Sequence, residues 1–275
     1  MKIKQYLETF RDGRKMFFNF WPTENASKGI IALVHGLGEH SGRYEHFANF
    51  YNKNGYDVMA VDTFGHGQTE GKKGHSNKME DYLEQITILI NEAKKHSSSK
   101  RVFLYGHSMG GSLVLNYLLR ENPTLSGIIA TAPAIQPGFK VPFLKIILGK
   151  FGRIVFPSLT QENGLELKYL SHDQAIIEAY KNDPLVHNLV SAQVGMGILE
   201  WGNWLEKNVS TADLPVLIMH GSEDKLTNYE ASKALANKFK GDVTFESWEG
   251  MYHEIHNEIG KERVLNYTLD WINSK

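Results

Sequence analysis

Apolar residues are distributed along the 275-residue chain in two patterns. Short, nearly unbroken runs stand at residues 29–34 (GIIALV), 57–61 (DVMAV), 102–105 (VFLY), 127–131 (GIIAT), 215–219 (PVLIM) and 243–247 (VTFES). Between them, apolar positions recur every three or four residues over 43–54, 79–95, 110–120, 229–239 and 260–272. An unbroken run bounded by turn residues reads as a strand buried on both faces; the wider spacing reads as an amphipathic helix. In 79–95, for example, Tyr82, Leu83, Ile86, Leu89, Ile90 and Ala93 share one face. Residues 6–10 and 16–21 flank Asp12-Gly13 and predict a hairpin. The whole pattern predicts an α/β fold with a mostly parallel central sheet of about eight strands flanked by helices.

The alternation breaks once. Residues 133–213 show helical periodicity and no convincing strand. This predicts a helical cap inserted after the sixth strand, with the core built from residues 1–132 and 214–275. At about 150 residues per domain, the length suits one α/β domain carrying such an insertion as well as it suits two domains.

Thirty basic and thirty-one acidic side chains leave a net charge of -1, which argues against a nucleic-acid partner. With no cysteine, disulfides, thiolate nucleophiles and Cys-ligated metals are excluded. The opening MKIKQYLE has no apolar core and no small-residue cleavage site, so the expected compartment is the cytoplasm. The uncharged stretch 102–119 holds three Gly, two Ser, a His and an Asn, and reads as a strand and helix rather than a membrane span.

Residues 106–110 read Gly-His-Ser-Met-Gly. The motif Gly-x-Ser-x-Gly is short, but here Ser108 directly follows a strand and opens a helix. A sharp strand-to-helix turn brings neighbouring backbone against the nucleophile, so a Cβ at either flanking position would clash. The competing reading, a phosphate-binding turn, lacks the Lys-Ser/Thr pair that normally follows. A serine hydroxyl needs a base to take its proton, and the base needs an acid to orient it. Asp224 follows the strand ending at Met219, and His253 follows the strand ending near Ser247, in the order Ser, acid, His. Glu223 competes for the acid role. Two backbone N–H donors, of Met109 and of Leu37 in His35-Gly36-Leu37-Gly38, are expected to form an oxyanion hole. This constellation predicts acyl transfer from an ester. A carboxylate would stand at position 108 in an epoxide hydrolase or dehalogenase, so that chemistry is disfavoured.

Residues 35–44 (HGLGEHSGRY), 106–110 (GHSMG) and 220–224 (HGSED) together resemble the monoacylglycerol lipase and lysophospholipase branch of the α/β hydrolases, the serine aminopeptidase S33-like enzymes. Residues 62–71 (DTFGHGQTEG) and 183–187 (DPLVH) fit the same branch, and the likeness runs from about residue 25 to the C-terminus. The resemblance implies the α/β-hydrolase fold and hydrolysis of a small lipid ester with one acyl chain, without metal or organic cofactor. It places Glu39, Arg43 and His256 beside the glycerol pocket. Glu39 and Arg43 could equally form a salt bridge that shapes the oxyanion loop. Alternatives with the same triad are a lysophospholipase and a short-chain or aromatic-acid carboxylesterase. A non-catalytic ligand-binding relative is disfavoured by the intact triad and glycine turns.

Residues 142–151 (PFLKIILGKF) are mostly apolar, and no acidic residue occurs from 122 to 161, while Lys140, Lys145, Lys150 and Arg153 are basic. An apolar helix flanked by cations predicts transient contact with a membrane surface through the cap, besides packing on the core. Twelve histidines invite a metal reading, but His253-Glu-Ile-His256 is one residue too short for His-Glu-x-x-His, and His66, His75 and His96 lack ligand spacing. His35, His107 and His220 each stand beside a glycine at a strand end and are expected to support those turns.

Overall fold

The computed structural model describes residues 3–24 and 26–275. Its central sheet has eight strands in the order β1 (Lys4–Thr9), β2 (Lys15–Trp21), β4 (Asp57–Val61), β3 (Ile30–Val34), β5 (Val102–His107), β6 (Gly127–Thr131), β9 (Thr211–Gly221) and β10 (Lys240–Trp248). β1 and β2 form the expected antiparallel hairpin, and β2 runs antiparallel to β4. From β4 to β10 every pairing is parallel.

Alternate residues of each strand enter different cores. In β3, Ile30, Ala32 and Val34 join the side covered by α2 (Glu80–His96), α3 (Met109–Glu121) and α7 (Tyr229–Lys238). Ile31 and Leu33 join the side covered by α1 (Glu45–Lys53) and α8 (Lys261–Asn273). Because both faces are buried, both need apolar residues, which explains the unbroken runs in the sequence.

Between β6 and β9 lie α4 (Phe143–Val155), β7 (Thr160–Glu162), α5 (Gln174–Asn182), β8 (Leu189–Ser191) and α6 (Ala192–Asn208). Two features depart from the sequence expectation. The insertion does contain strands: β7 and β8 pair antiparallel over three residues each, too short and polar for a period to show. β9 also starts earlier than residues 214–215, at Thr211. Pro215 cannot donate to a ladder, and the register with β10 shifts between Gly241 and Val243, so a proline mid-strand sits at an irregularity that hides the strand's beginning.

Candidate active site

The carboxyl ends of β3, β5, β9 and β10 deliver the loops carrying Leu37, Ser108, Asp224 and His253, the edge of a parallel sheet where crevices form. Ser108 holds φ 54° and ψ -116°, a left-handed conformation costly for a residue with a Cβ. Its backbone is fixed by N–H donation to Thr131 at 2.9 Å and by its carbonyl accepting from Ala134 at 3.0 Å. The flanking glycines are required by space. A Cβ on Gly106 would lie 2.3 Å from the Gly110 carbonyl oxygen, and one on Gly110 would lie 2.1 Å from that of Val34.

Asp224 and His253 meet. The His253 Nδ1–H donates to Asp224 Oδ2 at 2.7 Å. The same oxygen accepts from His220 Nε2 at 2.9 Å and from the Thr227 hydroxyl at 2.8 Å, while Oδ1 accepts the N–H groups of Leu226 and Thr227 at 2.7 and 3.0 Å. Burial favours the neutral acid, but the charge of His253 and the donor set outweigh it and hold the Asp224 carboxyl well below the usual range. Burial pulls His253 down, and the Asp224 carboxylate beside it overcomes this, so the imidazole lies above its ordinary value. Glu223, the competing acid, is exposed to solvent.

Both side-chain hydrogen bonds of His253 run through Nδ1, to Asp224 and Thr227, which leaves Nε2 for the cavity. Ser108, His253, Leu37 and Met109 line one cavity of about 460 Å³, and no hydrogen bond joins the Ser108 hydroxyl to His253 among the described residues. The backbone N–H groups of Leu37 and Met109 have no backbone acceptor among the described residues. The far walls of the cavity come from α4 and α6, with Ile146, Met196 and Leu199 among them.

His35, His107 and His220 serve as turn supports, as expected. His35 Nε2 accepts from the Thr63 N–H at 2.9 Å, and His107 Nδ1 stands 3.1 Å from the Thr131 hydroxyl. The His107 ring lies 4.8 Å from that of His253; burial, reinforced by His253, pushes its pKa down to about 4. It therefore stays neutral beside its neighbour.

Glu39, Arg43 and His256 divide. Glu39 borders a narrow recess beside Ser108, but its carboxylate is bound by the Gly36 N–H at 2.6 Å, the Tyr44 hydroxyl at 2.8 Å and Arg43 at 2.5 Å. Despite its burial, Arg43 and neighbouring histidines hold it down to about 2. Arg43 also grips Glu254 through two bonds of 2.8 Å. Of the two readings open for Glu39 and Arg43, this geometry matches the salt bridge that shapes the oxyanion loop. Arg43 and His256 line neither the large cavity nor the recess. His256 stacks on Tyr44 with ring centres 5.0 Å apart and meets His107 edge-on at 4.7 Å. Both of its ring nitrogens are buried with no hydrogen-bond partner among the described residues.

Sequence reasoning did not find Thr227 or Glu254. Thr227 touches Asp224 and His253, and its hydroxyl oxygen also lies 3.1 Å from the Ala132 carbonyl oxygen. Its only signal is its place three residues after Asp224. Glu254 adjoins His253, but its partner Arg43 stands 211 positions away, and no local pattern links them.

The insertion holds both loops of the site. The N–H groups of His253 and Glu254 donate to the carbonyls of Tyr169 and Leu170 at 3.3 and 2.8 Å, and that of His187 donates to Gly38 at 2.9 Å.

Comparison with known proteins agrees with this geometry. Residues 25–260 match the family Hydrolase_4, described as serine aminopeptidase, S33. An uncharacterized abhydrolase domain-containing protein of Dictyostelium discoideum is 35% identical over 96% of this chain, which spans only 28% of that protein. A monoacylglycerol lipase of Mycolicibacterium smegmatis is 30% identical, with 94% of this chain and 93% of the relative covered. The crystal structure of the Paleococcus ferrophilus monoacylglycerol lipase superposes with a TM-score of 0.86 at 31% identity, covering 100% of this chain and 99% of that one. The chain belongs to the Hydrolase_4 (serine aminopeptidase, S33) family of α/β hydrolases, in its monoacylglycerol lipase branch.

Proposed function

We propose that this chain hydrolyses the ester of monoacylglycerols, releasing fatty acid and glycerol through an acyl-enzyme. Ser108 Oγ attacks the carbonyl carbon while its proton passes to His253 Nε2. Asp224 keeps the Nδ1–H tautomer and stabilises the imidazolium that forms. The carbonyl oxygen gains charge and is met by the N–H groups of Leu37 and Met109. Collapse breaks the bond to glycerol, which leaves with the proton from His253. Water then attacks the acyl-serine, gives its proton to His253, and frees the acid as Ser108 recovers its hydrogen.

One observation carries this reading: a strained serine and a carboxylate-bound imidazole open into the same apolar cavity. Its volume of about 460 Å³ falls in the range of small-molecule sites. Every methylene taken from water into such a space contributes about 0.8 kcal/mol, so an apolar wall suits an acyl chain.

Residues 133–213, apart from 211–213 at the start of β9, act as a cap over a core of 1–132 and 214–275, and α4 is the part that meets a lipid surface. None of its residues is buried; Phe143, Leu144, Phe151 and Ile154 are among its exposed apolar side chains, with Lys145, Lys150 and Arg153 between them. No helix among the described residues is long and apolar enough to cross a membrane. Surface contact is the arrangement this composition supports.

The test pairs a fluorophosphonate probe with a monoacylglycerol chain-length series. Wild type is expected to be labelled and to cleave medium or long acyl chains faster than short ones, with both activities gone in Ser108→Ala. An unlabelled wild type defeats the mechanism, and a maximum at acetyl esters makes the chain a short-chain carboxylesterase.

A further inference from the structure

α6 contains three glycines, and packing accounts for two. A Cβ on Gly197 would fall 2.4 Å from the Met79 side chain, and one on Gly202 would fall 1.9 Å from the Ile135 carbonyl oxygen. Gly195 differs. A Cβ there would meet only Val190 Cγ2, at 3.6 Å, an ordinary contact. Its φ is not positive, so the helix itself does not call for glycine. A glycine inside a helix costs stability relative to alanine, and here no neighbour requires it.

Gly195 lines the cavity that holds Ser108. Ala192, Met196 and Leu199 line it too, at the three- and four-residue spacings that place them on one helix face. Ile146 and Gly149 of α4 stand on the same cavity wall, and a Cβ on Gly149 would approach Met196 Sδ to 2.8 Å. α4 and α6 thus pack closely at Gly149, whereas a Cβ at Gly195 would meet only Val190 within 4 Å.

The geometry points to Gly195 as the residue that sets how long an acyl chain the cavity accepts. By lacking a side chain, it leaves the cavity beside Val190 open to the distal methylenes of the substrate. This rests on the reading of the cavity as an acyl site. An alanine Cβ at this position has room beside Val190, a leucine carries more bulk into the cavity from the α6 wall, and each methylene kept out of the cavity lowers kcat/KM about fourfold.

The experiment measures kcat/KM of wild type, Gly195→Ala and Gly195→Leu on hexanoyl- and palmitoyl-glycerol, with thermal melting and fluorophosphonate labelling to verify folding. The palmitoyl-to-hexanoyl ratio is expected to fall about fourfold in Gly195→Ala and tenfold or more in Gly195→Leu. Should the leucine variant not fold, the alanine variant alone decides, since its Cβ has room. A ratio that stays at the wild-type value, or a loss equal for both substrates, overturns the role of Gly195 and leaves the proposed function standing. A wild type that cleaves neither substrate overturns both.

Discussion

The Asp224 side chain accepts five hydrogen bonds, from His253, His220, the Thr227 hydroxyl and two backbone N–H groups. Such a set fixes a carboxylate as the anion, and the anion raises the affinity of His253 for its proton. The pH consequence has a definite sign. His253 acts as base only when neutral, and its pKa lies above the ordinary 6.5. Activity should therefore climb with pH through a midpoint above 6.5. Asp224→Asn removes the charge, so the midpoint should drop while kcat falls about 10⁴-fold. Rate profiles of the two proteins check this, and a wild-type midpoint at or below 6.5 speaks against the pair as described. Most of this constellation is legible in sequence because each member follows an unbroken apolar run, and chain order then assigns the roles. Choosing Asp224 over Glu223 needs coordinates: both sit on the same turn, and only Asp224 points inward.

Among the elements, α4 is unusual in being apolar and unburied together. Its residues predict a helix over 142–151, and the structure extends it to Val155. Composition shows that the segment is apolar and cationic; which face meets protein depends on the path of the whole insertion and cannot be read from a window of residues. Phe143 and Ile154 are 76% and 82% exposed, so replacing both with serine should leave the melting temperature within a degree or two. Binding to vesicles containing phosphatidylglycerol should weaken tenfold or more, given what a large apolar side chain contributes on leaving water. Sedimentation with such vesicles measures it, and unchanged partition would remove α4 from the interface. The three-residue strands β7 and β8 were illegible for a related reason: a period cannot be established over Thr160–Glu162, and the pairing is decided by the chain around it.

At the scale of the molecule, the buried histidines link stability to pH. His35, His66, His107 and His256 are all held below their ordinary values, primarily by burial. An unfolded chain binds protons at these rings near pH 6.5, while the folded protein refuses them; at His107 it does so down to about 4. Between those limits the unfolded state carries more protons, so stability must decline as pH falls. Calorimetry from pH 7 to pH 4 is expected to show a steadily decreasing melting temperature, and a constant value would mean these rings are hydrated in solution.

The backbone bonds from Tyr169, Leu170 and His187 to the loops of His253 and Gly38 bear on any attempt to pare the protein down. A shortened chain that joins β6 directly to β9 would lose Ala134, whose N–H holds the Ser108 carbonyl, and Val194, Trp201 and Leu205, which sit in the main core. It would also release the two segments that position the base and the oxyanion donor. Such a miniature would be left with an idle hydroxyl and an opened core: what looks like a detachable roof is also part of the foundations.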